Sequence, residues 1–193
     1  MGFSLRGAGK GLTVIQGMVR IQDSADISFE GFTVQDGGIH AREASIIITG
    51  NQIMDNPGPG LWVEECPHAL VSDNDILLNG REGILIDASS GVFGSNVVTQ
   101  NTTDGIVVNN ASVQIVSNEI HSNGRDGIAI RGIRYAASPN LLQNTIQNNG
   151  GVSNYDIICF GGNANPTGSG NVFSKCTNCA ECRSFGAPAT YYE

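Results

Sequence analysis

Asn74–Asp87 reads NDILLNGREGILID, and Asn118–Arg131 reads NEIHSNGRDGIAIR. The two stretches lie 44 residues apart and share their asparagines, their glycines and an alternating apolar ending. Asn51, Asn74, Asn96, Asn118, Asn144 and Asn171 each open a similar phrase, in which the second residue after the Asn is Ile, Val or Phe. A second Asn follows five residues later at Asn56, Asn79, Asn101, Asn123 and Asn149. Gly60, Gly83, Gly105 and Gly127 then open GLWV, GILI, GIVV and GIAI. In the middle of the chain the step is 22 or 23 residues, so 44 is two periods.

A fixed period of this length marks a solenoid, whose repeats bury their apolar sides only by stacking on one another. Each period holds three short alternating segments, such as SVQIVS, EIHS and GIAIR, separated by Asn or Gly turns. That pattern gives three strands per coil. A leucine-rich repeat would need a Leu framework, and a propeller blade about twice the period. The fold expected is therefore an all-β parallel β-helix of about eight coils, with residues 1–173 forming the solenoid and residues 174–193 a Cys-containing tail. At a turn, Asn tolerates the left-handed backbone, and its amide can bond the Asn of the next coil about 4.8 Å away. The Asn columns are thus expected to hold the structure together.

Composition agrees. The 193 residues include 26 glycines, and the apolar complement is weighted toward the branched Ile and Val that suit strands. The formal net charge of −8 argues against nucleic acid as a partner, since phosphate binding needs clustered Lys and Arg. No apolar run is long enough to span a membrane. The opening MGFSLRG reads as a strand, which leaves room for a leader and an N-terminal cap outside this sequence, and its open strands would invite homodimer formation or end-to-end association.

SLRGAGKGLTVIQG, Ser4 to Gly17, followed by repeated NxIxxNxxxGIxI phrases, resembles the right-handed parallel β-helix (pectin lyase-like) superfamily typified by pectate lyases, and more narrowly its carbohydrate-binding and sugar-hydrolase repeat proteins. The resemblance covers roughly residues 3 to 173. It implies a secreted or periplasmic protein with a polysaccharide or oligosaccharide partner, bound on the outward face of one parallel sheet. The paired Asp and Gly-His-Gly set of polygalacturonases and the Asp-Pro-His motif of alginate epimerases are absent. The readings left are a polysaccharide-binding protein, with or without lyase or hydrolase activity, or else a non-catalytic scaffold or accessory module.

Alternation along the third segment points Ile84 and Ile86 inward and Leu85 and Asp87 outward. Repeated coil by coil, the outward pairs are His40 and Arg42, Trp62 and Glu64, Leu85 and Asp87, Val107 and Asn109, Ala129 and Arg131. Glu64 and Asp87 would then share a proton or flank a sugar, with His40 as a further acid or base. Arg131 and Arg42 could hold a carboxylate, Trp62 could stack on a sugar ring, and Asn109 could hydrogen-bond it. RGIRY, Arg131 to Tyr135, adds Arg134 from an insertion and only faintly resembles an Arg-bearing lyase motif. The alternative for this column is ordinary cross-strand pairing of opposite charges. Leu85, Val107 and Ala129 would make an exposed apolar stripe, which fits a protein partner better than a wet cleft.

Glu82, Asp104 and Asp126 form a second column in the preceding turn. They read either as solvated residues paired with Arg81 and Arg125, or as oxygen ligands for calcium. Cys176, Cys179 and Cys182, at steps of three, with Cys159 as a fourth, read as disulfides fastening the last coil or as a metal site. Cys66 is left as the free thiol.

Overall fold

The computed structural model describes residues 2–150, 154–179 and 182. Of the expected Cys-containing tail, residues 180, 181 and 183–193 lie outside them. Among the described residues, twenty-four short strands form three eight-stranded sheets, and every strand pair is parallel. The first sheet runs from Phe3–Arg6 to Thr167–Ser169, the second from Val14–Gln16 to Val172–Phe173, and the third from Val19–Gln22 to Cys176–Thr177. Each coil gives one strand to each sheet, so successive strands of one sheet are a full coil apart in sequence. This is the expected parallel β-helix, and the third sheet continues past Phe173 to Thr177.

The period fixes the register. Ile84 pairs with Leu61 on one side and Ile106 on the other, and Ile86 with Val63 and Val108. Inward residues therefore stack on inward residues, and one continuous core of Ile, Val, Leu and Phe fills the tube. All the strands are short, because a left-handed or glycine residue turns the chain after a few residues. Asp73, Leu78, Ser95, Gln100 and Ser117 all have φ between 54° and 57°. At these corners a non-glycine side chain accepts a small backbone penalty, offset by the stack.

Two buried asparagine ladders run inside the corners. Asn51, Asn74, Asn96, Asn118, Asn144 and Asn171 form one; Asn56, Asn79, Asn101, Asn123 and Asn149 form the other, and none is more than 5% exposed. In the first, the Nδ2 of Asn74 donates to Asn96 Oδ1 at 3.0 Å and to the carbonyl of Ile48 at 2.9 Å. The Asn74 backbone N–H also donates to Asn96 Oδ1. Each side chain thereby satisfies backbone groups that the corner would otherwise bury unpaired.

At the last coils, Cys159 is bonded to Cys179 and Cys176 to Cys182. Cys66 is the free, buried cysteine. Among the described residues, no helix is long and apolar enough to cross a membrane.

Candidate functional site

The outward face of the third sheet carries the expected column in register: Arg42 beside Glu64, Glu64 beside Asp87, Asp87 beside Asn109, and Asn109 beside Arg131. Alternation alone forces this arrangement once the inward positions are Ile and Val. At its N-terminal part, His40 and Trp62 stack with ring centroids 4.1 Å apart and planes 9° from parallel. His40 Nε2 lies 3.0 Å from Glu64 Oε2, and Arg42 Nε lies 3.8 Å from the same oxygen. Arg42 also meets Glu43 and Glu65. Glu64 is thus held from two sides by groups on the preceding strand.

Asp87 stands next to Glu64 without a cation of its own among the described residues. Partial burial pushes its pKa above the usual carboxylate value, and the charges of Glu64 and Glu65 push it further in the same direction; the Ala88 N–H pulls it back. Two carboxylates on neighbouring strands therefore differ in surroundings, one ion-paired and one biased toward holding its proton.

Beyond Asp87 the face opens into a cleft of about 210 Å³ lined by Asp87, Asn109, Asn110, Arg131, Ile133 and Arg134. One wall is the insertion after Arg131. It is anchored by Asn110 Oδ1, which accepts the backbone N–H groups of Arg134 and Tyr135, both at 3.2 Å. Ile133 and Tyr135 are each 71% exposed beside it. The sequence places Arg134 on an insertion, but the anchoring role of Asn110 leaves no signal there.

Two expectations fail here. Val107 and Ala129 are fully buried; with Ile158 they form a second apolar cluster against which Leu85, Tyr155 and Phe160 pack. The stripe is therefore not an exposed surface. Arg131 reaches back along the sheet to Asp104 Oδ2 at 3.2 Å and lies over the Phe160 ring. The acid column is not solvated either: Glu82, Asp104 and Asp126 are 5%, 1% and 3% exposed. Asp104 Oδ1 accepts the Asp126 backbone N–H at 3.1 Å and Asp126 Oδ1 that of Tyr155 at 2.7 Å, so these carboxylates join one coil to the next. Burial raises the Asp126 pKa, partly opposed by the Tyr155 N–H.

The three acids do not converge on one point. Among the described residues, the only trio of metal-capable side chains whose donor atoms do so is Cys176, Cys179 and Cys182, and all three are committed to disulfides. A calcium ion at Asp104 would have to compete with Arg131.

The family model for the right handed beta helix region matches residues 6–136, most of the chain. The chain belongs to this family. Its hand is thereby right-handed, as parallel crossovers nearly always are. Among solved structures, a mutant of the periplasmic alginate epimerase AlgG is similar with a TM-score of 0.58 at 16% identity, over 86% of this chain and 51% of that one. A second AlgG mutant gives 0.56 at 16% identity, over 79% and 46%. The A-module of the Azotobacter vinelandii mannuronan C-5 epimerase AlgE4 gives 0.51 at 16% identity, over 97% and 80%. This β-helix thus spans about half the length of the AlgG chains. No curated protein matches the sequence significantly.

Proposed function

We propose that this β-helix protein binds polysaccharide along the outward face of its third sheet and acts on it by acid/base chemistry centred on Glu64 and Asp87. The observation that carries the reading is the cleft at Asp87, Asn109, Arg131 and Arg134, which adjoins the His40–Glu64 pair on the same face. The fold supports it, since the similar structures are named as enzymes acting on alginate or mannuronan, chains of sugars. Polysaccharide lies in an extended groove, and a sheet of parallel strands offers one with side chains every 4.8 Å or so.

In this reading His40 and Arg42 hold Glu64 in place. Asp87, biased toward the protonated form, hands a proton to the substrate or takes one from it. Arg134, which makes no ion pair among the described residues, is the group free to meet an acidic or hydroxyl-rich sugar. Trp62 and Tyr135 provide faces for sugar rings. The two disulfides and the periplasmic neighbour support a secreted or periplasmic location.

A second reading, a non-catalytic accessory module, draws on another surface. Ile47 and Leu70, each 42% exposed, line an apolar groove of about 400 Å³ on the first sheet. The deciding experiment is a panel of neutral and acidic polysaccharides. It is scored for binding, for new reducing ends, for unsaturated products absorbing in the ultraviolet and for exchange of sugar ring protons with solvent, with and without calcium. Binding with product or exchange supports the enzyme; binding alone leaves an accessory module; no binding at all overturns the proposal.

A further inference from the structure

Three rungs of the second asparagine ladder are followed by glycine: Asn79–Gly80, Asn123–Gly124 and Asn149–Gly150. Both halves of each pair are dictated by the fold. The asparagine is a ladder rung. The glycine is needed because a Cβ at Gly80, Gly124 or Gly150 would collide with the carbonyl oxygen of Pro57, Thr102 or Arg125 in the preceding coil. At Gly150 the backbone is also left-handed, with φ of 56°.

Asn-Gly is also the dipeptide in which the backbone nitrogen most readily attacks the preceding side-chain amide, because glycine offers no steric shield. The Gly N to Asn Cγ bond forms, the Cγ–Nδ2 bond breaks and ammonia leaves. Water then opens the succinimide ring at either carbonyl, giving aspartate or isoaspartate. No oxidant or cofactor is needed.

We propose that Asn79, Asn123 and Asn149 are modification sites of this kind, held unreactive by the folded stack and released when their coils open. The structure ties down every atom the reaction must move. Gly80 N–H donates to the Asn56 carbonyl at 2.7 Å, Gly124 N–H to that of Asn101 at 2.9 Å, and Gly150 N–H to that of Asn123 at 2.7 Å. The departing nitrogen is held as well: Asn79 Nδ2 donates to Ile53 O and Asn101 Oδ1, and Asn123 Nδ2 to Val98 O and Asn149 Oδ1. Asn79 and Asn123 are at most 2% exposed, so the water that opens the ring is excluded there too.

The change is not reversed by refolding. An aspartate at position 79 offers no donor to Ile53 O or Asn101 Oδ1 and brings a charge into a buried ladder. Isoaspartate lengthens the main chain by a methylene, which breaks the register that the coil depends on. A chain that has opened for long enough therefore carries a chemical record of it and does not rebuild the affected coils.

The test is peptide mass spectrometry of the whole protein incubated at mildly alkaline pH, in native buffer and in urea. In urea, peptides holding Asn79, Asn123 and Asn149 should convert, while those holding Asn101, followed by threonine, and Asn56, followed by the N–H-less Pro57, should not. In native buffer Asn79 and Asn123 should convert at least about tenfold more slowly, since reaction then waits on coil opening. The fraction that regains native circular dichroism on dilution should fall in step with conversion. An Asn79→Asp protein should show the same deficit without any incubation, which separates the modification from aggregation in urea. Equal rates in native buffer and urea, or an Asn79→Asp protein that unfolds at the wild-type midpoint, would overturn the proposal.

Discussion

The imidazole of His40 lies flat against the indole of Trp62 while its Nε2 reaches Glu64 at 3.0 Å, so one histidine joins the aromatic and the charged parts of the same face. Trp62 is the only tryptophan in the chain, which makes its fluorescence a reporter of this site alone. A bound oligosaccharide should change that emission in a saturable way. His40→Ala should leave the fold intact and weaken binding about three- to tenfold, the range expected for one aromatic packing partner. Titrations of the two proteins side by side check this.

Asp87→Asn separates stability from chemistry. A carboxyl whose pKa is raised in the folded state binds its proton more tightly there than in the unfolded chain. Its favourable contribution is complete below the unfolded value, about 3.9, and is lost as pH rises through the folded value. Asparagine does not titrate. The variant should therefore melt at or above the wild-type temperature at neutral pH, with the difference shrinking as pH is lowered. Turnover of any substrate should fall by about a hundredfold or more. Melting curves over a pH series and a single activity assay read both effects.

Asn96→Ala tests the ladder. Asn96 donates to Val71 O and Asn118 Oδ1 and accepts the Asn74 backbone and side-chain N–H groups. Truncation strands several buried polar groups, and at roughly 1–3 kcal/mol for each unpaired group the loss should reach about 3 kcal/mol or more. Chemical denaturation gives the value. Activity per folded molecule should not change, because Asn96 lies in a corner remote from the third sheet's outward face.

Replacing Cys159 and Cys179 by serine removes a link that closes a loop of 20 residues of sequence separation, worth about 3 kcal/mol. A solenoid's coils contact only their neighbours, so the loss should stay local. Hydrogen exchange should accelerate around Ile157–Phe160 and Cys176–Thr177, while Ile84–Asp87 keeps its protection.

The fold was readable because its determinants repeat: a 22-residue step puts Asn74 over Asn96 whatever the intervening residues are. The charged column was readable for the same reason, since Arg42, Glu64 and Asp87 follow from strict alternation. What escaped the sequence depends on reach across coils. Val107 and Ala129 alternate outward as expected, yet Tyr155 and Phe160, from the coil after Ala129, pack against them. Asp104 and Asp126 look like turn acids until their carboxylates are seen accepting backbone N–H groups from the coil above. Tyr135 sits on an insertion, where the period carries no information.

The second ladder has a direction. From Asn56 to Asn149 every Nδ2 points toward the next coil's Oδ1, so the amide dipoles add head to tail along the axis, each polarising the next. Its positive end is the Nδ2 of Asn149, and there, 3.3 Å away, lies a carboxylate oxygen of Asp156, a residue only 3% exposed. The other oxygen of Asp156 takes the N–H groups of Ser174 and Lys175. A row of neutral side chains thus ends on the buried carboxyl group of Asp156, much as a helix terminus favours a counter-charge. That carboxyl group in turn ties the chain after Phe173 to the final coil.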